Sequence, residues 1–164
     1  MEIKIIDNFL DKIDLKRVID ATYKRSWTIQ KSYSHVESHL EFLSLDVTDE
    51  EFFNKYLFKQ IEKHLDKKYD IGRIYFNGQW PGRDGGFHTD DGGDTKMSVL
   101  FYVGEYQLGW GGFTEILTSP TEQKVIAPIQ NRLVLFPGGD LQHKAYSFSN
   151  QSCPMRVSLA YKLL

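Results

Sequence analysis

The chain is poor in the features that would take it out of ordinary water-soluble folds. One cysteine, Cys153, stands in 164 residues, which excludes an internal disulfide framework and any multi-cysteine zinc or iron–sulfur centre. Long apolar runs are missing, so no membrane-length segment is expected. The opening "MEIKIIDNFLDKIDLK" is broken by acids and does not read as a secretory signal, making a cytoplasmic location the expectation. Runs of basic residues are also missing. Twenty Lys and Arg face 22 Asp and Glu, for a formal charge of −2, so a sequence-independent grip on nucleic-acid phosphates is not expected. Internal repeats, linkers and low-complexity stretches are absent too, and residues 1–164 read as a single domain.

What is present is apolar and aromatic in good supply, 41% and 14% of the residues, enough for a packed core without metals or disulfides to hold it. Residues 1–70 are expected to be mostly helical. "IKII" at 3–6 suits a short strand, and Ile13, Leu15, Val18, Ile19 and Tyr23 then follow near-helical spacing. At "TDEE", Thr48 as N-cap and Glu51 three residues on form a capping-box pattern before Phe52, Phe53, Tyr56, Leu57, Ile61 and Leu65. From 71 onward short β-rich runs appear: "RIYFNGQW", "KMSVLFYV", "KVIAP", "RLVLFP", "KAYSFS" and "RVSLAYKLL", parted by glycine- and proline-rich turns. Many short strands with such turns predict a mainly β sandwich or barrel with helices packed on its outside.

The chemistry concentrates in "GGFHTDDGG". In an extended strand residues i and i+2 share a side, so His88 and Asp90 project together. His143, after "NRLVLFPGGDLQ", is placed at a strand edge behind a Pro-Gly-Gly turn. His35 and His39 are expected in a surface turn and His64 on a solvated helix face. Two imidazoles and one carboxylate form the ligand set that leaves three adjacent positions open on octahedral iron(II). Zinc accepts the same donors, but no HExxH-type motif supplies the general base a zinc hydrolase needs. In "CPMRVSLAYKLL", Arg156 and Ser158 share one face and Val157, Leu159 and Tyr161 the other. A guanidinium on an inner face calls for an anion, and its forked donors suit a carboxylate.

With these residues in order, the chain resembles the iron(II)- and 2-oxoglutarate-dependent oxygenases, in particular their prolyl 4-hydroxylase-like branch. The resemblance lies in His88-Thr89-Asp90, the distal His143, Arg156 within RxS, and the flanking "YFNG", "SVLFYVG", "GWGGFTEI" and "PIQNRLVLFPGGDLQH". It covers most of the chain. It implies a double-stranded β-helix, or jelly-roll, barrel, with iron(II) held by His88, Asp90 and His143. It also implies 2-oxoglutarate anchored by Arg156 and Ser158, with Tyr102 and Tyr75 as further cosubstrate contacts, dioxygen as the second cosubstrate and ascorbate as an auxiliary reductant. Many prolyl 4-hydroxylases use lysine where Arg156 stands, a departure that loosens any inference about substrate. The carboxylate position is filled by Asp90, which favours hydroxylation over halogenation. Trp110 and Asp91 fall in the expected substrate rim. The implied reaction hydroxylates a C–H, with a prolyl residue of a protein or peptide as first expectation and succinate and carbon dioxide as co-products. A catalytically silent jelly-roll binding module and an oxygenase of free amino acids or nucleobases remain open at this point.

Overall fold

The structure, a computed structural model, describes residues 2–24, 26–31, 41–90 and 94–164. In chain order the elements are β1 (Lys4–Ile6), α1 (Lys12–Ala21), β2 (Thr28–Lys31), β3 (Glu41–Asp46), a wide π-helical turn (Phe52–Leu57) running into α2 (Phe58–Glu62), β4 (Ile71–Gln79), β5 (Met97–Tyr102), β6 (Thr114–Ser119), β7 (Glu122–Ile126), β8 (Leu133–Phe136), β9 (His143–Ala145) and β10 (Arg156–Leu163). Seven strands form one antiparallel sheet in the order β1-β8-β5-β10-β4-β3-β2, and β7-β6-β9 form a smaller one. The jelly-roll expectation holds in architecture, but these are two separate sheets and do not close into a barrel. The first 70 residues are less helical than expected, since β1, β2 and β3 all come from them and join the large sheet.

The large sheet is covered on both faces. On one face Val18, Phe53, Leu57 and Ile61 from the helices pack on Ile74, Phe76, Val99, Phe101, Leu159 and Tyr161 from the strands. On the other, Tyr102, Val134 and Phe136 meet Ile116 and Ile126 of the smaller sheet. Burial of each such side chain contributes about 1.5–3 kcal/mol relative to leaving it in water. The two-residue period explains the division: in β10, Leu159 and Tyr161 turn to the helices, while Arg156, Ser158 and Lys162 turn inward and are buried as well.

Two helical expectations are corrected. Asp11 caps α1, accepting from the Ile13 and Asp14 amides, and the helix buries Val18 but leaves Ile13 74% exposed; Tyr23, beyond its end, is 83% exposed. The Thr48–Glu51 capping box does not form. The Thr48 hydroxyl instead accepts from Ile74 N–H (2.9 Å) and donates to Ile74 O (3.2 Å), tying the approach to the helix onto β4, and Glu51 makes no side-chain cap bond. His64 lies just past α2, half-buried, with one side of its ring edge-on to Phe9 at 5.8 Å. His35 and His39 lie outside the described residues.

Candidate active site

Backbone pairing brings the two histidines together. His88 N–H donates to His143 O (3.0 Å) and His143 N–H to His88 O (2.9 Å), an isolated antiparallel bridge that sets the rings 4.5 Å apart with their planes tilted by 49°. Asp90 N–H is bonded to Gly138 O (2.8 Å), which carries its carboxylate to the same place. The ligand atoms of His88, Asp90 and His143 all lie within 4.8 Å of one another, as the HxD pattern and the distal histidine predict. The imidazole protons are assigned by their partners: His88 Nδ1 faces Gly86 O and His143 Nδ1 faces Leu141 O, each at 2.9 Å. A carbonyl only accepts, so Nδ1 of each ring carries the proton and each Nε2 lone pair is left for the cluster. Nε2 of His88 is 3.6 Å from Asp90 Oδ1, and Nε2 of His143 is 3.5 Å from Oδ2.

Asp90 is an anion despite its burial. Desolvation pushes its pKa up, but the adjoining imidazoles of His143 and His88 and the Lys162 ammonium outweigh it and hold the carboxyl far below the usual carboxylate range. For His88 burial favours the neutral ring, yet the neighbouring Asp90 carboxylate and the Gly86 carbonyl raise its pKa. Ser98 Oγ and Lys162 Nζ also bond Asp90 Oδ2.

Beside this cluster lie two cavities. The inner one, of about 70 Å³, runs past His88, His143, Ser158 and Tyr75 to Arg156. Arg156 is 2% exposed. Its Nε donates to Gly112 O (2.7 Å), Nη1 to Gln79 Oε1 (3.0 Å) and Nη2 to Thr114 Oγ1 (2.9 Å). All three partners are neutral, and among the described residues no carboxylate pairs with this guanidinium. A buried cation without an anion costs several kcal/mol, so the site is built to receive one. Burial accordingly lowers the Arg156 pKa. Gly112 makes the arrangement possible: at φ 72 it turns its carbonyl to Arg156, and a Cβ there would run into the Phe148 ring.

The remaining expected residues divide. Tyr102 is fully buried, donates to Thr114 Oγ1 (2.7 Å) and lies 5.4 Å beneath the Arg156 guanidinium; burial raises its pKa. Ser158 lines the inner cavity, and Tyr75 lines both cavities with Arg73 stacked on its ring at 4.5 Å. Trp110 is not brought to either cavity: its ring packs edge-on against Phe148 at 5.3 Å. Asp91 lies outside the described residues. Sequence reasoning missed Gln79, Thr114, Ser98 and Lys162. The two-residue period would have found Gln79 by counting on from Tyr75 and Asn77, and Lys162 by counting on from Arg156 and Ser158. The outer cavity, of about 250 Å³, is lined by Glu41, Phe42, Arg83, Asp84 and Asn77 along with Lys162.

No protein-family model and no curated protein matches this sequence. Solved structures do. A 2OG-Fe(II) oxygenase family oxidoreductase from Burkholderia pseudomallei superposes with a TM-score of 0.78 at 14% identity, over 97% of this chain and 83% of that one. A Trichoplax adhaerens prolyl hydroxylase, in complex with a hypoxia inducible factor peptide fragment, gives 0.76 at 16% identity, over 99% and 83%. A Pseudomonas putida prolyl-4-hydroxylase gives 0.71 at 18%, over 99% and 92%. The chain therefore has the jelly-roll fold found in the 2-oxoglutarate- and iron(II)-dependent oxygenases, the prolyl hydroxylases among them.

Proposed function

We propose that the protein is an iron(II)- and 2-oxoglutarate-dependent hydroxylase, with residues 1–164 as one oxygenase domain. The observation that carries this reading is the Arg156 guanidinium, buried among neutral partners in the wall of a cavity that is also lined by His88 and His143 of the cluster. The donor set suits the metal. Two neutral imidazoles and one carboxylate, with Nδ1 protons already engaged, are what a borderline divalent ion accepts with positions to spare. The inner cavity suits a short dianion: one end meets the metal ligands and the other meets Arg156, whose Nη1 and Nη2 each keep a second N–H for a carboxylate.

His88, Asp90 and His143 would hold the iron. When bound, it couples oxidative decarboxylation of 2-oxoglutarate by dioxygen to hydroxylation of a C–H, releasing succinate and carbon dioxide. The chain's own part is orientation and exclusion. Thr114 and Gln79 fix the Arg156 fork so that it meets the far carboxylate without reorganising. Leu100 and Phe136 wall the inner cavity with apolar surface, which strengthens that ion pair and keeps bulk water out.

For substrate we take a prolyl residue in a protein or peptide as the first choice, on analogy with the prolyl hydroxylases that share the fold. A free amino acid is the second, because the outer cavity is small and carries Glu41, Asp84 and Arg83, charges of both signs that suit a zwitterion. The test is anaerobic titration of the iron(II)-loaded protein with 2-oxoglutarate, following the visible charge-transfer band of a chelated keto acid, with His143→Ala as control. A band in the parent protein that is lost in the control is the expected result. Its absence from a folded, iron-loaded parent rejects the oxygenase reading. Succinate release on adding prolyl peptides or free amino acids then separates the two substrate choices.

A further inference from the structure

Asp90 is held by more than a metal ligand requires. Its Oδ2 accepts from both the Ser98 hydroxyl and the Lys162 ammonium, and its backbone N–H is bonded to Gly138 O at 2.8 Å. The three side chains are buried, with Asp90 4%, Ser98 2% and Lys162 9% exposed, so neither contact is diluted by solvent. Ser98 and Lys162 face each other in register across β5 and β10, which sets both donors by the rigid sheet and not by a loop. Gly138 leaves them room. A Cβ at that position would overlap both Ser98 Oγ and Asp90 Oδ2.

The consequence falls on the other oxygen. Carboxylates bind metals through one oxygen or through both. Here Oδ1 faces His88 Nε2 at 3.6 Å and Oδ2 faces His143 Nε2 at 3.5 Å, so an unrestrained Asp90 would offer both oxygens to an ion between the rings. Two donors converge on Oδ2 alone. We propose that Ser98 and Lys162 are positioning residues that confine Asp90 to one-oxygen coordination through Oδ1 and thereby keep three positions of an octahedral ion free. This rests on the oxygenase reading, where a chelating cosubstrate occupies two positions and the third must stay available. Chelation by Asp90 would take that third position away. Lys162 alone would suffice as a counter-ion for Asp90; the neutral Ser98 hydroxyl adds direction without charge, which is the mark of positioning.

The experiment uses manganese(II) as the probe and counts its bound waters from the broadening of its electron paramagnetic resonance lines in ¹⁷O-enriched water. The parent protein is expected to hold three waters, falling to one when 2-oxoglutarate is added. Ser98→Ala and the double variant Ser98→Ala/Lys162→Met are expected to hold two, falling to none. Ser98→Ala removes one oxygen atom and keeps every charge, so it carries the test if the double variant does not fold. Three waters in Ser98→Ala would overturn the proposal and leave Lys162 as a counter-ion only. If the parent binds manganese(II) but loses no water to 2-oxoglutarate, the oxygenase reading fails, while the comparison of parent with variants without 2-oxoglutarate still decides the restraint.

Discussion

Arg156→Met removes the guanidinium and keeps a side chain of similar length, and its effect can be worked through from the structure. Truncating one partner of a buried, hydrogen-bonded charge pair costs about 2–5 kcal/mol of binding. That corresponds to a loss of 2-oxoglutarate affinity of roughly 30- to 5,000-fold. Ligand binding stabilises the folded state by mass action, by about 4.1 kcal/mol at a ligand concentration a thousand times the parent's Kd. At the same concentration the variant would keep only about 0.1–2 kcal/mol. For a chain of 164 residues, each kcal/mol moves Tm by roughly 2–4 °C, so the manganese-loaded parent should gain roughly 8–16 °C and the variant less than half of that. The substitution also changes the unliganded protein, because a costly buried cation disappears while Gln79 Oε1 and Gly112 O lose their donor and Thr114 Oγ1 keeps only the bond from Tyr102. Each protein is therefore compared with and without 2-oxoglutarate by thermal denaturation, and isothermal titration gives the affinities directly. A variant that keeps the parent's full ligand-induced shift would refute the claim that the buried cation awaits the cosubstrate's carboxylate.

Two further outcomes test the scaffold. Phe53→Ala should cost about 3–5 kcal/mol, since Phe53 is 1% exposed and stands edge-on against Phe76 at 5.5 Å; urea unfolding with an unchanged slope measures it, and a loss under 1 kcal/mol would mean the helix layer collapses around the cavity. Asp7 pairs its two oxygens with Arg132 Nε (2.6 Å) and Nη2 (2.9 Å), and the hydrogen bond to Arg132 holds its carboxyl below the usual range despite some desolvation. A depressed folded pKa gives stability that is present above the unfolded value near 3.9 and is lost as pH falls through the folded one. Asp7→Asn should thus lower stability at pH 7 by roughly 0.2–1 kcal/mol, the range of an exposed pair, with the difference from the parent vanishing at acid pH; an undiminished difference at pH 2 would count against the pair.

How far the sequence reached follows from which forces are local. His88 and Asp90 were legible as a pair from their i, i+2 spacing, although the segment forms only an isolated bridge at His88 and not the expected strand; Arg156 with Ser158 were legible because a strand's two-residue period is a local rule and β10 obeys it. The capping box failed because Thr48 had a stronger offer: both hydrogen-bonding groups of Ile74 in the neighbouring strand, 26 residues away. Strands β2 and β3 were missed because neither carries a sustained apolar pattern: β2 is the last strand of the large sheet among the described residues, and β3 lies between it and β4. Thr114 and Gln79 reach Arg156 across 42 and 77 residues. No spacing rule on one segment connects such partners: the pairing of β10 with β4 brings in Gln79, and the smaller sheet facing them brings in Thr114 from β6.

The strand order β5-β10-β4 also explains why so polar an interior is tolerated. β10 runs down the middle of the large sheet, so its inward row of Arg156, Ser158 and Lys162 lies between β4, which brings Gln79 and Asn77, and β5, which brings Ser98 and Tyr102. Each costly group thus finds a partner: Arg156 on Gln79 of the neighbouring β4, and Lys162 on the Asp90 carboxylate, which comes from the connection before β5 and is also held by Ser98 of β5. The opposite face of the same three strands is wholly apolar, with Phe76, Phe101, Leu159 and Tyr161 under the helices. Stability and chemistry are therefore assigned to opposite faces of the same strands, and a one-residue slip of β10 would bury Arg156 and Lys162 against the helices and turn Leu159 and Tyr161 into the cavity. Register, more than any single contact, is what the site depends on.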